Sequence, residues 1–216
     1  MQIITENITI EAERLALTNQ RAIYWEHEDA LILSDLHIGK TAHFRKHGIP
    51  MPDDILVKDL ERLETLIHYF KVSKLIIVGD LFHAEANSNL QTFKSWLNAF
   101  KQLKIILVRG NHDRQSKNLM SDLRIEEVTE LHMKPFLFVH DSSAETSEYF
   151  MISGHIHPGI LIKGKGRQKV KLPCYQVTSR YLVLPAFSLF TGLNTHESPE
   201  DAISYAFTES TIFKFD

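Results

Sequence analysis

Along this chain, short runs rich in Ile, Leu and Val stop abruptly at clusters of polar residues. Three stand in the first half. "ALILSDLHIGK" runs into Ser34, Asp35 and His37, "KLIIVGDLFH" into Gly79, Asp80 and His83, and "KIILVRGNHDR" into Gly110, Asn111, His112 and Asp113. Near-continuous aliphatic runs of this length read as central strands buried on both faces. Between the first two, "PDDILVKDLERLETLIHYF" repeats Ile55, Leu56, Leu60, Leu63, Leu66, Ile67 and Phe70 at helical spacing behind a Pro-Asp start, which predicts an amphipathic helix. Between the second and third, "NLQTFKSWLNAFKQL" places Phe93, Trp96, Leu97 and Phe100 on one stripe, read as core. Strand alternating with helix predicts a parallel sheet with right-handed crossovers, and ligand sites in such sheets form at the carboxyl ends of the strands. The three polar bursts therefore share one edge.

The second half changes style. "KPFLFVHD", "YFMISGHIHP", "ILIKGKGRQKVKLPCYQVT", "RYLVLPAFSLF", "AISYAFT" and "STIFKFD" are short strand-like segments broken by Gly, Pro and Ser, and they predict a second, mainly antiparallel sheet. Two of them again end in histidine, at His140 and at His155 with His157. If "ISGHIHPG" is extended, both imidazoles of the latter pair leave on the same side and Ile156 on the other. No repeat, low-complexity segment or linker interrupts the chain, so one domain over residues 1–216 is expected.

Composition narrows the picture. At 216 residues, 44% hydrophobic and 24% charged, the chain can bury a sizeable core. A net charge of −3 excludes coating of nucleic acid by bulk electrostatics, so polyanion binding must rest on a local basic patch. No stretch approaches the roughly 18 to 20 apolar residues of a membrane span, and the first residues are too polar for a secretory signal. A soluble cytoplasmic protein with no membrane association is expected, its oligomeric state left open. The lone cysteine, Cys174, excludes an internal disulfide and reads as a small strand residue.

Twelve histidines are the less ordinary feature. Asp35, His37, Asp80, Asn111, His140, His155 and His157 each follow an aliphatic run, and the fold would gather them at one rim. Carboxylate, imidazole and amide donors without thiolate suit Mn2+, Fe2+ or Zn2+. Seven donors exceed what one ion needs. Two ions sharing a carboxylate would use them all, and paired metals about 3.5 to 4 Å apart are a device for phosphoester cleavage.

Read in order, "DLH", "GD", "GNHD", "VH" and "GHIH" resemble the ordered blocks of the calcineurin-like metallophosphoesterases: D-x-H, G-D, G-N-H-D or G-N-H-E, a lone H, and G-H-x-H. The resemblance implies an α/β fold of the four-layer αββα sandwich type, with two packed mixed β-sheets flanked by helices. It implies that Asp35, His37 and His157 hold one divalent ion, that Asn111, His140 and His155 hold the other, and that Asp80 bridges them. It gives His112 the catalytic role of stabilising charge or protonating the leaving oxygen, with Asp113 orienting it. Water ionised between the ions is the expected nucleophile.

From Ala30 to Gly192, "DLHIGKTAHFRKHGIPMP", "GDLFHA", "GNHDR", "GHIHPG", "LPCYQV" and "LPAFSLFTG" are similar to the bacterial ligase-associated DNA damage response endonucleases, also called PdeM. That likeness implies a Mn2+-type phosphodiesterase acting on nucleic acid and associated with a DNA ligase and helicase. Two positions depart from the wider superfamily: His83 ends its G-D-x-x-D pattern, and Asp141 follows the lone His140. Lys163, Lys165, Arg167, Lys169 and Lys171 recur at every second position, and on a hairpin would share a face that either meets a phosphate backbone or guards an edge strand. Lys40, His43, Arg45, Lys46 and Arg114 follow the metal blocks and read singly as exposed residues. The expected function is a dinuclear phosphodiesterase, a nuclease on single-stranded or damaged nucleic acid linked to DNA repair. The alternatives are a phosphoesterase for a nucleotide or other small phosphoester, and a non-catalytic scaffold.

Overall fold

The computed structural model describes residues 2–52, 54–83, 88–115, 117–142, 147–196 and 198–215. The first sheet has seven strands in chain order: β1 (Thr5–Ile10), β2 (Glu13–Thr18), β3 (Ile23–Trp25), β4 (Ala30–Leu33), β5 (Lys74–Val78), β6 (Lys104–Val108) and β7 (Ile125–Val128). The predicted aliphatic runs are β4, β5 and β6, and β4 to β7 are parallel. Helices α1 (Lys40–Lys46), α2 (Ile55–Phe70), α3 (Ser88–Leu97) and α4 (Lys117–Asp122) fill the connections.

Strands β1 to β3 form an antiparallel meander on the edge of β4, to which sequence reasoning assigned no element. Their turn at Glu11 and Ala12 has φ +50° and +65°, the left-handed pair a tight hairpin needs. Neither residue is the Asn or Gly that ordinarily signals such a turn. The aromatic stripe also outruns its helix: α3 ends at Leu97, and Phe100 follows in a turn with its ring 4.6 Å from that of Trp96.

The second sheet uses β8 (Leu131–Met133), β9 (Phe136–Phe138), β10 (Phe150–Ser153), β11 (Gly159–Lys163), β12 (Lys169–Val177), β13 (Tyr181–Val183), β14 (Ile203–Phe207) and β15 (Ile212–Phe215). Its order is β15-β14-β12-β13-β10-β9-β8, with β11 paired to β12. Pairing is mainly antiparallel, as expected, but β10 runs parallel to both β9 and β13. That alignment delivers the ends of β9 and β10 to the same rim.

Between the sheets lies a core of Ile32, Ile76, Val78, Trp25, Phe136, Phe138 and Tyr175, with the Trp25 and Phe136 rings 4.9 Å apart, edge to face. The other face of the first sheet is covered by Leu60, Leu63 and Leu66 of α2, Phe93 of α3 and Met120 of α4. Each such leucine withdrawn from water contributes about 1.5 to 3 kcal/mol. The result is an α/β sandwich of two packed mixed sheets with flanking helices. On the outer face of the second sheet, Leu137, Val139 and Met151 form one small cluster and Ile160, Cys174 and Ala206 another. No described helix is long and apolar enough to cross a membrane.

Candidate metal centre

Because β4, β5 and β6 are in parallel register, their polar sequels emerge together. The loops after β4 and β5 are laced by backbone bonds: the N–H of Asp35 donates to Gly79 O at 3.0 Å, that of His37 to Asp80 O at 3.0 Å, and that of Ile38 to Leu81 O at 2.8 Å. Lacing at this pitch requires sharp turns. Asp35, His37, Asp80, His155 and His157 take φ of +57°, +52°, +51°, +69° and +54°. Left-handed backbone at a non-glycine residue is uncommon and costs of order 1 kcal/mol or more, and such strain gathers at functional sites.

The expectation of an extended "GHIH" is corrected here. Strand β10 ends at Ser153, the Gly154 N–H extends the parallel pairing with β9 by donating to His140 O at 3.1 Å, and the chain then turns at His155 and His157. With both histidines left-handed, their side chains go to different places. The turn is secured from outside by Asn194, whose N–H donates to His157 O at 2.9 Å and whose carbonyl accepts from Gly159. Asn194 escaped sequence reasoning because it acts through its backbone.

Two clusters form. Asp35, His37 and His157 bring donor atoms within 4.8 Å of one another, and so do Asp80, His140 and His155. In the first, His157 Nε2 lies 3.1 Å and His37 Nε2 3.9 Å from Asp35 Oδ1. In the second, His140 Nε2 is 3.4 Å from Asp80 Oδ2 and 3.2 Å from His155 Nδ1. Asn111 joins the second cluster through its side chain, Nδ2 being 3.5 Å from His155 Nδ1, so its Oδ1 reaches a cation only if the amide is turned over. Asp35 Oδ2 accepts from the His155 N–H at 3.2 Å, which couples the clusters. Asp80 sits with the second cluster.

Both ring nitrogens of His37 are buried without a hydrogen-bond partner, and the buried Asp35 Oδ1 and His157 Nε2 have only each other within hydrogen-bond distance, at 3.1 Å. Buried polar atoms are nearly always paired, and a group of donors so sparsely paired fits a cation. The donors are oxygen and imidazole nitrogen with no thiolate, the set for hard or borderline divalent ions. Electrostatics set the charge of each, and a cation would have to displace the proton held on His140. Burial pushes His37 down to about 3, so it is neutral and free to ligate. Burial opposes the charge of Asp80, but its hydrogen bonds to His140 and the His112 N–H outweigh that and hold it well below the usual carboxylate range. Asp35 is likewise lowered, burial being outweighed by His157 and His140. His140 is raised to about 9: burial works against its proton, and Asp80 and Asp35 retain it. Its Nδ1 faces Val78 O at 3.0 Å, which fixes the ring and leaves Nε2 toward the cluster.

The motif glycines allow these approaches. At Gly79, φ +84°, a Cβ would stand 2.0 Å from His140 Nδ1, and at Gly110 2.3 Å from Asp80 Oδ1.

His112 is exposed at the rim, its N–H bound to Asp80 Oδ1 at 2.9 Å and its ring 4.8 Å from that of His83 at a tilt of 34°. The expected partnership with Asp113 is not found. Asp113 is buried, its Oδ1 accepting from the Phe82 N–H and its Oδ2 from the Gly110 N–H, both at 2.9 Å. It ties the loop after β5 to the loop after β6. Burial raises its carboxyl to about 6. His83, noted from the sequence only as a departure, is the residue that packs on His112. Lys40 is half-buried near Asp35 and Asp80, and burial lowers its pKa. A cavity of about 810 Å³ is lined by Arg21, Arg62, Leu189 and Phe207 among others and by none of the clustered residues.

A two-sheet α/β sandwich with paired carboxylate and imidazole clusters at its strand ends defines a metal-dependent hydrolase. The sequence profile of the calcineurin-like phosphoesterases matches residues 30–189, and the chain belongs to that family of metal-dependent phosphoesterases. It is similar to the crystal structure of the Pseudomonas putida nuclease MPE, at 30% identity and a TM-score of 0.82, with 98% of this chain and 100% of that chain covered. It also matches Yfce, a phosphoesterase from E. coli, at 17% identity and a TM-score of 0.44, covering 82% of this chain and 87% of that one. No curated protein matches the chain.

Proposed function

We propose that this protein is a dinuclear phosphodiesterase that cleaves nucleic acid in single-stranded or damaged regions, with Mn2+ as its ion. Asp35, His37 and His157 would hold one cation and Asn111, His140 and His155 the other, with Asp80 between them. The observation that carries the reading is the convergence of carboxylate and imidazole donors in two adjoining clusters, with both ring nitrogens of His37 buried and unpaired in the first. Support for a polymeric substrate comes from the full-length likeness to a nuclease. Resemblance to the ligase-associated endonucleases supports a place in DNA repair beside a ligase and helicase.

Divalent cations in these clusters would polarise the phosphoryl group and acidify water. The remaining work falls to the chain. Asp80 accepts the His112 N–H and so holds that backbone at the rim, while the His112 ring, packed on His83, is exposed where a leaving oxygen would need a proton. The Val78 carbonyl holds the His140 ring in one orientation. A rim open to solvent suits a chain-like substrate better than a closed pocket would.

The test is a panel of single-stranded DNA, RNA, duplex DNA, cyclic nucleotides and a chromogenic diester with protein loaded with Mn2+, Fe2+ or Zn2+. The expected result is fastest turnover, per unit kcat/KM, on single-stranded nucleic acid with Mn2+. Turnover of small diesters alone would overturn the nuclease reading and leave the phosphoesterase intact.

A further inference from the structure

The segment "LPAFSLFTG" is part of the sequence likeness, yet none of its residues enters either cluster. Its position explains its importance. Strand β13 is bonded to β10, and Leu184 N–H then donates to Ser153 O at 2.7 Å, next to the histidine turn. Immediately afterwards the chain crosses to the other sheet. Ala186 bridges to Ser34, Phe187 N–H donates to Ser34 O at 2.8 Å, and Ser188 N–H donates to Asp35 O at 3.2 Å. Residues 184–188 therefore form a seam between Asp35 on the first sheet and the strand end that delivers His155 and His157 on the second.

This seam is clamped by the half-buried Arg21 and by the buried pair Asp59 and Arg62. Arg21 Nη1 donates to Ala186 O at 2.9 Å and to Ser188 O at 3.2 Å. Arg62 Nη2 donates to Phe187 O and to Asp59 Oδ1, and its guanidinium lies 4.2 Å from the centre of the Phe187 ring. Asp59 Oδ1 also accepts the Leu189 N–H at 3.2 Å. Asp59 is 1% exposed and Arg62 7%. Burying such a pair carries a large desolvation cost, and well-packed apolar residues of equal volume commonly stabilise a fold as well or better. Stability alone is therefore a poor account of the Asp59–Arg62 pair, whereas fixed geometry at a seam is a good one. A cavity of about 10 Å³ is lined at once by His37, Asp59 and Ser188, so clamp and cluster adjoin.

We propose that Arg62, Asp59 and Arg21 are positioning residues of the metal centre, setting through residues 186–189 the separation between Asp35 and His157 and so the geometry of the first cluster. The proposal rests on the reading of the clusters as cation sites. Its test compares wild type, the double variant Asp59→Leu with Arg62→Met, which leaves no lone charge of that pair behind, and Arg21→Met. Each metal-free protein is melted thermally and then titrated with Mn2+, with bound metal counted after dialysis. The expected result is metal-free melting close to wild type and a 10- to 100-fold loss of affinity at one of two sites, the scale typical of groups that orient metal ligands. Unchanged affinity at both sites in a folded variant overturns the proposal, as does metal loss only in proportion to unfolded protein. If the double variant does not fold, Arg21→Met decides by the same measure. Wild-type protein that takes up no metal would instead sink the reading of the clusters, before any variant is compared.

Discussion

His112 is an exposed member of a group of imidazoles in which His37 and His140 are buried, tied by its backbone to Asp80 and by its ring to His83. Because it lies in neither cluster, removing its ring should affect proton transfer and leave cation binding alone. We expect His112→Ala to lose roughly 10²- to 10⁴-fold in turnover with metal content nearly intact; a diester turned over at the wild-type rate would remove it from the mechanism. Asp113, next in sequence, should behave differently. Asparagine at 113 keeps one acceptor and loses the other, stranding either the Phe82 or the Gly110 N–H at a cost of about 1 to 3 kcal/mol. Asp113→Asn should accordingly lower the melting temperature more than it lowers turnover per folded molecule. A variant with unshifted melting and a turnover loss like that of His112→Ala would restore Asp113 to an orienting role. Resemblance of motif implied that role, and the carboxylate's two backbone contacts give Asp113 a structural one.

At the scale of elements, the β11–β12 hairpin presents a basic face. Lys163 pairs with Lys169 and Leu161 with Lys171, while Ile160 and Ile162 pair with Leu172 and Val170 on the opposite face. Three of the five basic residues share the strand face, and Lys165 and Arg167 lie in the connection. Like charges directly opposite each other are destabilising, so an external anion would relieve them. Replacing Lys165, Arg167 and Lys169 together by Ser should raise the KM for single-stranded nucleic acid and flatten its salt dependence, with a small diester little affected. No change on either substrate would make the lysines guards of an edge strand. Equal loss on both would assign the hairpin to folding.

The whole molecule depends on where the ligands come from. Each cluster draws on both sheets: Asp35 and His37 meet His157, and Asp80 meets His140 and His155. Cations held there would pin the two layers together, so chelation should lower the melting temperature. A site at 100 times its Kd contributes about 2.7 kcal/mol. Melting unchanged by a chelator, in protein shown to have carried metal, would refute the pinning. In metal-free protein the His140 proton adds a pH dependence. Its folded pKa is raised from 6.5 to about 9, so its contribution is complete below pH 6.5 and is lost as pH rises toward 9. Metal-free melting should therefore fall across that window, and His140→Gln should flatten the fall. A profile unaltered by that substitution would place the titration elsewhere.

The parallel strands β4 to β6 and the seven candidate donors were legible in the chain because both are local facts: an aliphatic run has a period, and a polar residue directly after it lies at a strand end. The β1–β3 meander was not, because its turn is made by Glu11 and Ala12 without the usual turn residues. The division of "GHIH" between two clusters was implied by likeness of motif, while the extended reading of the same residues failed. Left-handed backbone at His155 and His157 is imposed from outside, by Asn194 and by Asp35, which lies 120 residues away in sequence. Arg62 and Phe187 stand 125 residues apart, and each reads alone as an ordinary helix or strand-flanking residue. Periodicity and spacing, read along the chain, determined which residues could reach the rim. Only packing of the two sheets decided which of them face one another, because those contacts join segments whose sequences carry no record of each other's distance.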